Sequence, residues 1–388
     1  MIYKLGEICD FYNGGAWSDK EYVTEGIPVL KVTNCKPRGF QIEDINYLPF
    51  SAAAKYAKNK LQIGDVVIAT VGSHPNLVDS AAGRACIINS EVVGFYLNQN
   101  AVCIRSKNRQ ILDQRYLGYL SKYRPFQHYI QMRGRGAANQ MRIAIGAIKS
   151  YEIELPQIDL QHKISNMLST YDDLIENNQK QIKLLEEAAQ RLYKEWFVDL
   201  HFPGHEHTKI VDGLPAGWKK GTLVDIAIFK RGKTITKSQA HKGVVPVVAG
   251  GKEPAYYHDR SNTEAPVITV SASGNAGYVR LYYQSVWASD CSFLDNEKTR
   301  YLYFVYAYLK HNQDDIYALQ KGACQQHVNA KEINALEMTV PTEEIMERFC
   351  NIVSHNFENV RILQRQNELL AQARDRLLPK LMSGELEV

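Results

Sequence analysis

The segment Arg133-Gly134-Arg135-Gly136-Ala137-Ala138-Asn139-Gln140-Met141-Arg142 sets three arginines and two amides among small residues. Lys321-Gly322-Ala323-Cys324-Gln325-Gln326-His327 is a shorter version of the same mixture. A guanidinium matches the paired acceptors on a guanine edge. An Asn or Gln amide matches the donor and acceptor on an adenine edge, and glycines let a backbone come close to phosphate. Candidate contact residues here are Arg133, Arg135, Asn139, Gln140, Arg142, Lys321, Gln325, Gln326 and His327. Two more pairs of polar loops occupy matching places. Residues 70–76 and 271–278 offer Ser73, His74, Ser271, Ser273, Asn275 and Tyr278, while 31–36 and 250–257 offer Lys31, Thr33, Asn34, Lys36 and Lys252. Arg84, Lys230, Arg231 and Lys233 complete the set. The competing reading is structural, with Gln140 and Gln326 capping the helices that follow them.

Other chemistry is hard to find. Lys230-Arg231-Gly232-Lys233-Thr234 resembles the end of a phosphate-binding loop, but that pattern needs a glycine where Ala227 stands. No Asn/Asp-Pro-Pro-aromatic string occurs, and no strand leads into the glycine-rich loop of a methyltransferase, so the chain lacks the means to methylate DNA itself. His201, His205 and His207 cluster without a nearby cysteine and read as solvent-exposed linker residues rather than metal ligands. The seven cysteines show no CxxC spacing, which argues against a disulfide framework or a zinc site.

The whole chain carries +4, unevenly spread. Residues 1–155 carry +6, 156–200 carry −3, 201–340 carry +3 and 341–388 carry −2. Two large basic blocks thus alternate with two short acidic ones, a weak sign of a polyanionic partner for the basic blocks. Mean hydropathy is −0.33. No apolar run approaches the roughly 18–20 residues that span a bilayer, and the first residues lack the apolar centre of a signal peptide. A cytoplasmic location is expected, away from any membrane.

The elements that would position the loops are repeated. Leu155-Pro156 and Val340-Pro341 each open a long helical segment, and the two segments align without gaps at an offset of 185. Leu184-Leu185 matches Leu369-Leu370, and Arg191-Leu192 matches Arg376-Leu377. The first apolar seam runs Ile164, Leu168, Tyr171, Ile175, Asn178, Ile182, Leu185, Ala189, Leu192, Trp196. The second runs Phe349, Val353, Asn356, Val360, Leu363, Asn367, Leu370, Arg374, Leu377, Leu381. Steps alternating between four and three predict a coiled coil. Asn178, Asn356, Asn367 and Arg374 are polar seam residues, which either fix register or mark where the helices splay.

The flanking blocks repeat as well. Leu5-Gly6-Glu7-Ile8 resembles Leu223-Val224-Asp225-Ile226, and Ile27-Pro28-Val29-Leu30 resembles Val245-Pro246-Val247-Val248. The offset shrinks from 218 to 186 along the block, so the first copy carries about 32 extra residues, expected in loops. Residues 65–70 and 266–271 read as strands. Residues 116–129 and 301–317 read as helices whose aromatic stripes are core rather than base stackers. Residues 201–218, rich in Gly, Pro and His, read as the linker into the second block.

Taken in order along the whole chain, these features resemble the DNA-specificity subunits of type I restriction–modification enzymes. Val248-Ala249-Gly250-Gly251-Lys252-Glu253-Pro254, Ser273-Gly274-Asn275-Ala276-Gly277-Tyr278, Trp287-Ala288-Ser289-Asp290-Cys291 and Lys380-Leu381-Met382-Ser383-Gly384-Glu385-Leu386 are similar to strings of that family. The first block lacks the Gly-Leu-Pro-Ala-Gly-Trp lead-in of 213–218, and the C-terminal tail is the candidate for its equivalent. The fold implied is α+β. Two duplicated mixed α/β target-recognition domains, 1–155 and 201–340 with its linker, are separated by spacer helices at 156–200 and 341–388 that form an antiparallel coiled coil with pseudo-twofold symmetry. The function implied is non-catalytic. The chain reads a bipartite target on double-stranded DNA and directs adenine methylation by two methyltransferase subunits, with cleavage where two restriction (translocase/endonuclease) subunits are present. It binds no cofactor, S-adenosylmethionine being expected on the methyltransferase partners. The helices would set the spacer, and one heptad inserted between Ile175 and Leu192 would keep the seam in phase. The alternatives are a stand-alone DNA-binding pseudo-dimer, such as a regulator, and a structural adaptor with no DNA role.

Overall fold

The computed structural model describes residues 2–36, 39–42, 45–73, 81–137, 140–321 and 326–388. The chain forms two compact units. The first is Met1–Glu176 together with Asn367–Val388, and the second is Asn177–Gln366.

Both units are built on the same pattern. In the first, a four-stranded antiparallel sheet has the order Cys9–Asn13, Ala101–Ser106, Val66–Ala69, Ala85–Ile87. In the second, the order Lys230–Arg231, Cys291–Asp295, Val267–Ser271, Val279–Tyr282 repeats it. Each unit adds a three-stranded sheet with one parallel and one antiparallel pairing. These sheets run Tyr96–Leu97, Ile27–Leu30, Asn46–Leu48 and Trp287–Ala288, Val245–Val248, Tyr256–His258. A further strand pair ties a strand near the start of each block to its last strand, Ile2–Lys4 with Glu152–Glu154 and Lys219–Thr222 with Glu337–Val340.

The central strands are near-continuous runs of β-branched and apolar residues because both sheet faces are covered. In the first unit Val66, Ile68, Val102 and Ile104 enter one core, while Val67, Ala101 and Cys103 enter another. The period of two assigns each residue to its side. Part of the extra length of the first block lies between equivalent strands, as the Cys35–Lys36 and Gly39–Phe40 hairpin and the short turns Phe50–Ala52 and Ala57–Asn59.

Two helices expected to be continuous are broken. Residues 116–129 divide into Gln114–Lys122 and Arg124–Gln131, with Tyr123 extended between them. Pro125 forces this, since in a continuing helix it would offer no N–H and its ring would strike the carbonyl four residues back. Residues 301–317 divide into Leu302–His311 and Gln313–Ala318 at Asn312, whose side-chain amide turns back to the Tyr308 carbonyl at 2.8 Å.

The first long helix covers Ile158–Tyr193 and widens into a last turn at Lys194–Val198; the second covers Glu343–Ser383 and stops at Gly384, whose φ is +76°. At 1.5 Å per residue these are about 54 and 62 Å long. Each unit holds the beginning of one helix against the end of the other, so the helices pair antiparallel within it. In the first unit Ile164 and Leu168 share a core with Leu378 and Leu381. In the second, Ala189, Tyr193 and Trp196 share one with Ile345, Phe349, Val353 and Phe357.

The remaining expected seam residues line the same faces. Asn178 and Val360 are buried, and Tyr171, Ile175, Ile182, Leu185, Leu192, Leu363, Leu370 and Leu377 are half-buried. The seam is displaced by one residue in four places. Tyr193 rather than Leu192, Phe357 rather than Asn356, Ala371 rather than Leu370, and Leu378 rather than Leu377, is the buried residue, as expected where a straight helix drifts about 20° per heptad from a strict seven-residue repeat. Two polar seam residues have partners on the facing helix. Asn178 Nδ2 donates to Gln366 Oε1 at 3.4 Å, and Arg374 pairs with Asp172.

The linker is not a loose tether. Phe202 and Trp218 at its two ends are buried in the core of the second unit, with their rings 4.9 Å apart and tilted by 33°.

Candidate nucleic-acid interface

The arginine-rich segment is a β-hairpin. Arg135–Ala137 pairs antiparallel with Gln140–Arg142, which pairs in turn with Val71–Gly72. One short sheet thus unites two loops that the sequence offered separately. Its alternation sorts the residues. Met141 points inward and is buried, while Gln140 and Arg142 on either side of it are exposed. Arg135 stands opposite Arg142 and is exposed too. Gly136, at φ +133°, has no room for a side chain, because a Cβ would come within 2.2 Å of the Gln140 carbonyl. Arg133 lies just before the hairpin, its guanidinium 3.5 Å from the centre of the Tyr129 ring.

Gln140 and Gln326 do not cap helices. The helix Ile145–Lys149 has Ala144 at its N-cap, and Ala330–Asn334 has Asn329, whose own backbone N–H is held by Glu332. With that structural role removed, Gln140 is an exposed amide on the same face as two guanidinium groups.

The second unit builds the matching place from different parts. Lys321 and His327 bond backbone to backbone in both directions, at 3.1 and 2.9 Å, and Val328 N–H bonds the Ala272 carbonyl. The first unit makes the equivalent bond from Ile143 N–H to Thr70. Gln326 is exposed and His327 half-buried. Lys321 Nζ lies 3.5 Å from Glu332. Burial pushes the Glu332 carboxyl up, but the Asn329 backbone N–H and Lys321 together hold it below the usual range.

Two loops of this unit are locked to each other. Asn275 N–H donates to the Gly250 carbonyl at 2.8 Å, and a Cβ on Gly250 would lie 2.4 Å from the Ser273 carbonyl. These glycines let two protein backbones touch, a nearer cause than approach to phosphate. Arg231, on the sheet edge, pairs with Asp290 at 2.5 Å, and Ser273 Oγ donates to the other oxygen of that carboxylate. Lys252 Nζ lies 5.4 Å from the Tyr278 ring centre. Lys230 is exposed on the edge strand, and the Lys233 backbone accepts from Trp287 Nε1.

Several candidates are placed where the fold uses them. Ser271 is buried in the central strand, with its hydroxyl 3.5 Å from the Ala249 carbonyl. Asn34 spends its amide on its own turn, accepting from Lys31 N–H and donating to the Gln41 carbonyl. Arg84 donates to the Cys35 carbonyl at 2.7 Å. Lys31 sits over the Tyr22 ring, Thr33 and Lys36 are exposed, and Ser73 follows the short strand of the hairpin sheet. His74, Asn139 and Gln325 lie outside the described residues.

Sequence reasoning missed the pair that braces the first sheet. Arg105 clasps Asp65 through Nε at 2.7 Å and Nη2 at 2.6 Å, and the carboxylate also accepts from Gln62 N–H. The partners are 40 residues apart, and no local pattern links them.

The comparisons agree with the internal duplication. The model of the type I restriction modification DNA specificity domain matches twice, over residues 1–187 and 215–372. The type I restriction enzyme MjaIX specificity subunit of Methanocaldococcus jannaschii is 27% identical over 303 residues, covering 70% of this chain and 69% of its own length. The HindI specificity subunit of Haemophilus influenzae is 20% identical over 475 residues, covering 99% of each. The crystal structure of the type I restriction-modification S subunit from M. genitalium superimposes with a TM-score of 0.54 at 19% identity, over 98% of this chain and 95% of that one, and shares its fold.

Proposed function

This chain belongs to the type I restriction–modification DNA-specificity family, and from that premise we propose that each of its two units reads one half of a bipartite DNA target on behalf of modification subunits that carry the catalysis. The observation that carries this reading is the pair of family matches falling on two units with one strand order, in which the strands are kept and the exposed loops differ. A scaffold kept twice with different loops suits one docking geometry with two sequence preferences. The role is that of a DNA-specificity subunit rather than a stand-alone regulator.

In the first half-site Gln140, Arg135 and Arg142 are the leading contact residues, with Arg133 nearby. In the second, Gln326, Lys321, Lys230 and Lys252 take that part. Two methyltransferase subunits would dock, one per half, and restriction subunits would join them in a cleaving complex. Support for a twice-used docking surface comes from exposed apolar residues at equivalent positions of the two long helices, Met167 with Ile352 and Leu184 with Leu369. S-adenosylmethionine belongs to the methyltransferase partners in this reading. No helix among the described residues is long and apolar enough to cross a membrane.

The test is an exchange. Replacing residues 1–155 by the corresponding block of another family member should change one half of the methylated sequence and leave the other intact, read by methylome sequencing of cells that also express the modification subunit. A change in both halves together would refute the division of labour.

A further inference from the structure

The two units repeat each other in strand order, but their helix junctions are made of opposite materials. In the first unit Asp172, on the first long helix, pairs with Arg374 on the second, and Arg374 also reaches Asp375 at 2.7 Å. Tyr119, from the helix Gln114–Lys122, is buried and donates its hydroxyl to Asp172 at 2.7 Å. The Arg374 side chain is 12% exposed, so this is not a solvated surface pair. Lys122 adds a second cation beside Asp172, and burial lowers its pKa.

At the offset of 185 that aligns the helices, Asp172 corresponds to Phe357 and Arg374 to Ala189. Both are buried in the core of the second unit, at 1% and 0% exposure. There Phe357 is stacked on Tyr303 at 4.7 Å and meets Tyr306 edge-on. The first junction is therefore centred on a charged, hydrogen-bonded cluster, and the equivalent positions of the second on packed aromatic rings, with the Glu186 carboxyl close to Tyr306.

The repeat gives each long helix two antiparallel partners of matching shape, the other helix or a second copy of itself. The chemistry distinguishes them. If the first helix paired with a copy of itself, Asp172 would meet Ala189, and its half-buried carboxylate would lose its guanidinium partner and keep only Lys122 nearby. If the second helix paired with a copy of itself, Arg374 would be driven among Phe357 and its aromatic neighbours. Removing one partner of such a pair is far costlier than forming the pair is favourable, and polar residues in a helix seam select partners in this way. We propose that the Tyr119–Asp172–Arg374 cluster is a pairing code that commits the first long helix to the second and excludes a second copy of the same half.

The full-length chain tests this. Covalent linkage gives the correct pair an effective concentration on the order of millimolar, so the wild type should be monomeric and two differently tagged copies should not co-purify. Asp172→Arg and Arg374→Asp, each alone, place like charges together and should lower the melting temperature. Combined in one chain, they should restore it. Co-expressed on two chains, they leave both clashes in cis and offer both correct pairs in trans. Tagged partners should then co-purify at least about tenfold above the wild-type mixture, as a 1:1 dimer by native mass measurement. The proposal is overturned if the reversed pair in one chain fails to restore melting. It is equally overturned if the complementary chains co-purify no better than wild type, whether or not each folds alone.

Discussion

Arg135 and Arg142 stand directly opposite one another across the hairpin, both exposed, and neither has a carboxylate partner among the described residues. Like charges in that register disfavour the hairpin by a few tenths of a kcal/mol up to about 1 kcal/mol. An anion between them would reverse the sign. Arg135→Ala and Arg142→Ala should therefore leave thermal stability unchanged or slightly raised while weakening DNA binding by the assembled complex. Where the lost contact is to phosphate, the slope of log K against log salt should fall by about 0.9 per arginine. Gln140→Ala should instead cost about 1–3 kcal/mol at one position of one half-site. Binding isotherms at several salt concentrations separate the two cases, and unchanged binding in all three variants would make the hairpin a structural element.

Arg231 makes a contrasting prediction. Asp290 already neutralises it at 2.5 Å, and both groups are partly exposed, so the pair contributes at most about 1 kcal/mol to stability. Arg231→Ala should loosen the 273–275 turn, which Asp290 also holds through Ser273, without changing the salt slope of binding. Asp290→Asn should release the guanidinium and make the slope steeper. A shallower slope in Arg231→Ala would show that the arginine touches phosphate despite its partner.

Phe349 lies at the centre of the second unit's helix junction, with ring centres of Trp196, Phe197 and Phe304 at 5.2–6.2 Å. It is fully buried. Phe349→Ala should cost about 3–5 kcal/mol in denaturant unfolding, and Ile352→Ala, on the exposed face of the same helix, less than about 1 kcal/mol. Similar losses would mean that Ile352 too is part of a packed interface.

The helix pairing refines how the spacer can be altered. A heptad added only between Ile175 and Leu192 keeps that helix's own seam in phase but shifts it by two turns against a partner that has not moved. Seven residues after Glu176 together with seven after Gln366 leave the paired segments of both units as they are. The matched insertion should fold and methylate a target with a changed spacer and unchanged half-sites, whereas the single insertion should unfold or aggregate. A matched variant that folds, binds its partners and keeps the original spacing would show that the helices are not the ruler.

The duplicated helices were legible because a repeat of four and three residues survives in any sequence that must bury one stripe, and Ile164, Leu168, Phe349 and Val353 carry it openly. The shift from Asn356 to Phe357 was not, because it depends on how far each helix is wound. The hairpin at Arg135–Ala137 read as a loop, since Gly and Ala give no strand signal and its pairing partner Val71–Gly72 is about 70 residues away in sequence. Residue type alone groups Ser271 and Asn34, whose hydrogen bonds are spent within the fold, with Gln140, which is exposed. Burial separates them, and burial is a property of the whole chain.

The interleaved composition of the first unit bears on how the protein is made. Its opening stretch, Met1–Glu176, leaves the ribosome first, but its closing stretch, Asn367–Val388, comes last, after the 190 residues of Asn177–Gln366. At translation rates of about 5–20 residues per second, Ile164 and Leu168 wait on the order of 10–40 s for Leu378 and Leu381. For that interval the nascent chain covers Ile164 and Leu168 only from its own first domain, through residues such as Leu112, Tyr116 and Leu120, without Leu378 and Leu381, and Asp172 is not yet joined by Arg374. The second unit meets no such delay, because all its segments emerge in one continuous run. The half made first is therefore the half finished last, and a chain truncated anywhere before residue 367 would leave it open.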